Sequence, residues 1–250
     1  MTFKILLTGG NGRLGQELQQ LIPDLLAPPS DELDITDRDA MLLAAQQWQP
    51  GLIVHAAAYT DVGRAKQDRA RCWEVNVEGT RHVVRAANAV GARLVHISTD
   101  YVFSGEQGQY REQDTPGPTV NYYALTKLVA EEAVRGAARH LILRTSFRPR
   151  EFQYPVAFTD VYTGQDYVDI IAPMLAEAIL NAERIPDEVL HIVTERKSVF
   201  DLARRRNPAV QPGSRTQVNV PLPQDVSLNT DRWQRLAATF RTSEQGARGE

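Results

Sequence analysis

Along residues 3–146, short runs of apolar residues ending in small ones alternate with stretches whose apolar positions fall three or four apart. FKILLTGG (3–10), GLIVHAAA (51–58), ARLVHIST (92–99) and HLILRTS (140–146) read as buried strands. DLLAPP (24–29) is a shorter strand candidate. Between them, GRLGQELQQL (12–21) sets Leu14, Leu18 and Leu21 at helical spacing. Thr36 or Asp37 can cap a helix whose apolar face includes Met41, Leu42, Ala45 and Trp48. A long helix is expected over 68–90, with Val75, Val83, Val84 and Ala87 inward, and another over 121–137. Strands that are apolar throughout, joined by helices, imply a parallel sheet covered on both faces. Right-handed crossovers then give an α/β, Rossmann-like doubly wound sheet for residues 1–147.

Beyond residue 147 this rhythm weakens. RPREFQYPVAFTDVYTGQ (148–165) reads as an irregular or β-rich connection. Helices are expected over 166–182, with Pro173 near the start or at a kink, and over 197–206 and 230–240. A strand is expected over 188–194, a loop over 207–214 and a disordered tail over 241–250. Residues 148–240 are therefore taken as a small, reduced substrate-binding subdomain interleaved with the first.

Composition narrows the function classes. A net charge of −3 leaves no basic field for nucleic acid. One cysteine, Cys72, allows no disulfide within the chain and no thiolate metal cluster, and the spread of His55, His96 and His191 suggests no metal site. No apolar run reaches the roughly 20 residues that span a membrane, and the first residues lack the form of a signal peptide. The expectation is a cytoplasmic protein acting on a small molecule, with no nucleic acid or membrane partner and with room for a homodimer.

The chemistry begins at TGGNGRLG (8–15), where Gly9, Gly12 and Gly15 follow a strand and open a helix. Such a turn lets backbone approach a pyrophosphate, which the positive helix end then attracts. The stretch after the second strand, LAPPSDE, puts prolines and a serine where an acid often holds a ribose 2′-hydroxyl. Arg13 suits a 2′-phosphate instead, so NADP is preferred to NAD. The alanines of HAAAYT (55–60) would let a cofactor lie against the backbone. In NYYALTK (121–127) only Tyr123 has a lysine four residues on, so Tyr123 and Lys127 share a helix face. Tyr123 is expected to give a proton to a developing alkoxide, Lys127 to lower the tyrosine pKa and bind ribose hydroxyls, and Thr99 to hold the carbonyl oxygen. Asn76 is a candidate for holding a bend or a water chain near the lysine, and is counted with the cofactor-binding residues.

TGGNGRLG, LDITD, VHAAAYTDV, VNVEGT, HISTDYVFSG and YALTK, in this order, resemble the extended short-chain dehydrogenase/reductases, and within them the dTDP-4-dehydrorhamnose reductase group. The resemblance covers residues 3 to about 146. It implies NAD(P)H-dependent reduction of a nucleotide-linked 4-keto-6-deoxy sugar, with Thr99, Tyr123 and Lys127 as the catalytic triad. It further implies that Gly9, Asn11, Gly12, Arg13 and Leu14 hold the pyrophosphate side, Asp34 and Ile35 flank the adenine, and Ala56, Ala57 and Tyr59 back the cofactor. Asp100 and Tyr101 would line the sugar site, and Phe147 stands at the family's tryptophan position. RTSFRPREF departs from the family pattern, and about 20 residues that cover part of the nucleotide-sugar pocket are missing. Two other functions share the fold. One is a non-catalytic NADP-binding regulator, like the β regulatory subunit of methionine adenosyltransferase; the other is a sugar-nucleotide epimerase or dehydratase. Arg204, Arg205 and Arg206 read as a solvated helix end rather than a substrate-pyrophosphate site.

Overall fold

The computed structural model describes residues 4–217 and 222–247. The chain begins with β1 (Ile5–Thr8), α1 (Arg13–Leu21), β2 (Leu25–Leu26), α2 (Arg38–Trp48) and β3 (Leu52–His55). Then comes a broken helix: α3 (Arg69–Trp73), a π-helical turn (Glu74–Gly79) and α4 (Thr80–Val90). β4 (Arg93–Thr99), α5 (Tyr122–Val134) and β5 (His140–Thr145) complete this part. Asp37 caps α2 by accepting from Asp39 N and Ala40 N at 3.0 Å, and Asn121 caps α5 by accepting from Ala124 N at 2.8 Å.

The remaining strands are short: β6 (Phe147–Arg148), β7 (Val156–Phe158), β8 (Tyr162–Thr163) and β9 (Asp166–Tyr167). α6 (Val168–Leu180), β10 (Val189–His191), β11 (Lys197–Ser198), α7 (Val199–Arg204), β12 (Gln211–Gly213) and α8 (Asp231–Ala247) follow.

Six parallel strands form one sheet in the order β10-β5-β4-β3-β1-β2. Every residue of β1, β3 and β4 is buried. The pleat sends Ile5 and Leu7 to one face, with α1, α6 and α8, and Leu6 to the other, with α2, α4 and α5. That is why the strand runs lack polar alternation. Strand order reverses at β1, which has β2 on one side and β3 on the other. Ligands of open α/β sheets sit at such a switch point, beyond the carboxyl ends of the strands.

Several boundaries differ from those expected. Lys197 and Ser198 pair with β8 instead of opening a helix, and Gln211–Gly213 pair with β7 inside the expected loop. Pro173 lies inside α6. Leu21 is 38% exposed, and Ile22 supplies the buried contact in its place. The expected tail does not begin at 241, because α8 continues to Ala247; residues 248–250 lie outside the described part. β10 and α6 return to the first sheet, so the halves share one main core. A smaller cluster around Phe152, Tyr167, Val199 and Leu202 supports β6 to β9. Among the described residues no helix is long and apolar enough to cross a membrane.

Candidate active site

The turn after β1 is built by close backbone contact. Gly9 has φ 84°, in the left-handed region that glycine enters without strain. A Cβ on Gly9 would lie 2.6 Å from Ala57 N, and one on Gly15 would lie 2.3 Å from Gly9 O. Neither space admits a side chain, so β1, β3 and α1 converge tightly there. Gly12 is the N-cap of α1, which has no side-chain cap and no acid in its first turn. The helix therefore presents free N–H groups and an unneutralised positive end.

This end opens on a cavity of about 850 Å³. Gly9, Asn11, Gly12, Arg13 and Leu14 line it beside the turn, with Asp34 and Ile35 next to them and Ala56, Ala57 and Tyr59 beyond β3. Thr99, Asp100, Tyr101, Tyr123, Lys127 and Phe147 line the rest. Asn76 stands outside the wall and acts on it from behind. Its Oδ1 accepts from Tyr59 N at 2.7 Å, and its Nδ2 donates to Tyr59 O at 3.2 Å and Thr126 Oγ1 at 2.9 Å. The π-helical turn thus ties the Tyr59 loop to α5. The residues present fit a dinucleotide: a glycine cradle, an open helix end and small side chains beneath.

At the Asp34 end, both carboxylate bonds are local. Thr36 N and Thr36 Oγ1 each donate to Asp34 Oδ1 at 2.8 Å, and the Thr36 backbone bond above all holds its pKa below the usual carboxylate range. Arg13, Ser30 and Arg71 also line this end, whereas Asp31 and Glu32 do not.

Tyr123 lies in the first turn of α5, and Lys127 follows one turn later on the same face. Burial first, then the charges of Asp100 and Tyr101, push the Tyr123 phenol well above its ordinary value, while Thr99 lowers it. Lys127 does not draw the phenol down here. Its Nζ donates to Ile97 O at 2.8 Å and meets His96 Nε2 at 3.3 Å, and burial lowers its pKa to about 8. Near neutral pH the phenol is therefore protonated and the ammonium charged. His96 Nδ1 is buried without a hydrogen-bond partner among the described residues, and desolvation holds the ring neutral.

Thr99 Oγ1 donates to Asp100 Oδ1 at 3.1 Å and accepts from Tyr101 N at 3.2 Å. Burial raises the Asp100 pKa to about 7 against the hydrogen bonds of Ser146 and Thr99. Beneath this group lies a sealed ion pair. Arg144, on β5, donates from Nε and Nη2 to Glu131 at 3.0 and 2.8 Å, and Ser98 Oγ donates to the same carboxylate at 2.5 Å. Both charged side chains are only 1% exposed. Because Glu131 is two turns beyond Tyr123 on α5, the pair sets that helix against β4 and β5.

Thr145, Ser146, Gln165 and Arg71 line the cavity without having been singled out in the sequence. Gln165 Nε2 donates to Ser146 Oγ at 3.0 Å. Both precede short strands with no periodic pattern, so only their nearness to the RTS and YTGQD segments marked them. The arginine run is engaged internally. Arg205 pairs with Asp166 and Glu195, Arg206 with Asp169, and Arg204 stacks over Phe200.

Residues 3–149 match the model of the family described as RmlD substrate binding domain. A dTDP-4-dehydrorhamnose reductase of Aggregatibacter actinomycetemcomitans is 35% identical over 156 residues, which are 60% of this chain and 53% of that protein. One of Streptomyces griseus is 42% identical over 134 residues, 52% of this chain and 44% of that one. The chain thus spans about half the length of the curated relatives it matches. A solved structure of dTDP-4-dehydrorhamnose reductase from Bacillus anthracis, in complex with NADP, aligns with a TM-score of 0.83 at 26% identity, covering 97% of this chain and 100% of that one.

Proposed function

The chain belongs to the RmlD substrate binding domain family, and from that premise we propose that it is an NADPH-dependent reductase of a nucleotide-linked 4-keto-6-deoxy sugar, of the dTDP-4-dehydrorhamnose reductase type. The observation that carries the reading is the meeting of Thr99, Tyr123 and Lys127 in one cavity with the glycine turn. NADPH, when bound, supplies the hydride for the sugar carbonyl. Gly9, Gly12 and the start of α1 hold its diphosphate. Arg13, with Ser30 and Arg71 beside it, takes the 2′-phosphate, and the local engagement of Asp34 favours NADP over NAD. Tyr123 gives its phenolic proton to the carbonyl oxygen as that oxygen becomes a hydroxyl. Lys127, charged near neutral pH, then stabilises the tyrosinate and returns a proton to it. Thr99 and Asp100 orient the oxygen, while Tyr101 and Phe147 pack against the sugar.

A second reading, an epimerase or dehydratase, draws on Asp100, a carboxyl that titrates near neutrality beside Tyr123. Product analysis separates the two, because only a reductase consumes NADPH stoichiometrically.

The test is calorimetric titration of NADPH and NADH into wild type and Tyr123→Phe, followed by NADPH oxidation with dTDP-4-keto-6-deoxy sugar. The expected result is tighter NADPH than NADH binding in both proteins, with turnover lost only in the variant. Failure of wild type to bind either nucleotide would overturn the cofactor assignment. Tight binding without turnover would point to the regulatory use of the fold.

A further inference from the structure

Arg148 departs from the behaviour of every other shielded cation. Among the described residues, the Lys and Arg side chains that are not exposed are otherwise all partnered: Arg93, Lys127, Arg144, Lys197, Arg215 and Arg232 each have hydrogen bonds or an ion pair. The Nε of Arg148 is buried without a hydrogen-bond partner among those residues, and no carboxylate among them pairs with it. Its guanidinium instead packs over the Phe152 ring, 5.4 Å from the centroid. A guanidinium does not lose its proton in a protein, so it cannot escape this situation by becoming neutral. A shielded charge without a counter-ion is costly and calls for a reason.

Its location supplies one. Arg148 follows Phe147, which lines the cavity, and pairs in register with Tyr167 across β6 and β9. Its charge is close enough to Tyr101 to oppose the rise of that phenol's pKa, and it also acts on Asp100. The backbone around it is pinned: Pro149 follows, and Arg150 donates to Glu17 on α1 at 2.9 and 2.8 Å. An aromatic-packed guanidinium held in one place, with no hydrogen bond to the described residues, is built to take an oxyanion.

Resting on the reductase reading above, we infer that Arg148, which lies just behind the wall formed by Phe147 and Tyr101, anchors an anionic group of a substrate that reaches past that wall. Two groups of a sugar substrate carry that chemistry: the diphosphate linking the sugar to its nucleoside, and a carboxylate on the sugar ring.

The experiment titrates dTDP, thymidine, D-galacturonate and D-galactose into wild type, Arg148→Gln and Arg148→Lys, each with NADPH present, with melting temperatures measured in parallel. A diphosphate source predicts that dTDP binds wild type and that Arg148→Gln weakens it about tenfold or more, with thymidine unaffected. A carboxylate source predicts the same loss for D-galacturonate, with D-galactose unaffected. In either case Arg148→Lys recovers part of the affinity, NADPH affinity stays at the wild-type value, and in turnover assays the loss falls on KM more than on kcat. Equal anion affinity in wild type and Arg148→Gln would overturn the anchor, even with NADPH binding and turnover intact. Lack of binding of both anions to wild type would overturn it too. A wild-type protein that binds an anion through Arg148 yet binds no nucleotide cofactor would leave the anchor standing and remove the reductase.

Discussion

The two halves of the molecule are held together by different forces. In the N-terminal half, parallel strands bury both faces, and one ion pair within that core, Glu131 with Arg144, is sealed. In the C-terminal half, strands of two or three residues pair off in separate ladders around a small apolar cluster. Partly exposed ion pairs such as Arg206–Asp169 and Arg205–Asp166 tie these pieces together. The contrast teaches where change is tolerated. A core packed on both sides resists substitution, whereas ladders and surface pairs can be rebuilt, and substrate choice can shift with them.

The sharpest break in this comparison lies in the chemistry. Tyr123→Phe should lower kcat by about 10²- to 10⁴-fold with NADPH affinity unchanged, measured by steady-state kinetics and calorimetry. If cofactor affinity fell equally, the tyrosine would be a cofactor contact and not the proton donor. Next in size is Glu131→Ala, which strands Arg144 in the core. It should cost about 3–5 kcal/mol, read as a fall in Tm of roughly 10 °C or more. A fall under roughly 2 °C would show that the sealed pair does not anchor α5.

Titration sharpens the comparison further. Lys127 has its pKa lowered by burial to about 8, so its contribution to stability is present above the unfolded value and is lost as pH falls through about 8. Lys127→Met should therefore raise Tm at pH 6–7 by several degrees, on the order of 2–3 kcal/mol, while abolishing turnover. Asp100 has the opposite sign. Its pKa is raised to about 7, so its contribution is present below the unfolded carboxylate value and is lost as pH rises through about 7. Asp100→Asn should flatten the decline in Tm across that window, visible in thermal melts from pH 4 to 8. The smallest effect belongs to the exposed bridge between the halves. Arg150→Ala should cost less than about 1 kcal/mol, with urea midpoints nearly coincident.

The same contrast decided what was legible beforehand. The runs ILLT and LIVH, apolar up to their last residue, have few ways to be satisfied other than between two helix layers, so the sheet could be read from them. Glycine spacing, together with a tyrosine and a lysine one turn apart, marked the cavity wall. The pairing of Phe147–Arg148 with Asp166–Tyr167 left no comparable trace, because two residues hold no period and the bonds are made by backbone. Asn76 was expected to hold a bend or a water chain near the lysine; that it holds the Tyr59 loop from behind the cavity wall depends on a π-helical turn that residue order does not announce. The direction in which Lys127 points, toward Ile97 O and His96, likewise depends on tertiary neighbours. The family model stops matching at residue 149, yet the backbone match to a solved relative runs through almost the whole chain. Packing geometry outlasts side-chain identity here.

The place of β10 carries a consequence for how the protein is made. During synthesis, residues 3–149 leave the ribosome first, and they contain everything that the family match detects. The last strand they add to the main sheet is β5, whose apolar residues and one row of backbone groups wait for a strand still to be translated. Until Val189–His191 arrive and α6 closes over the face, the nascent chain displays a sticky, unpaired edge of the kind that draws chaperones or recruits a second nascent chain. A gene trimmed at the end of the recognisable region would freeze that moment, and would be expected to yield inclusion bodies in place of a smaller working protein.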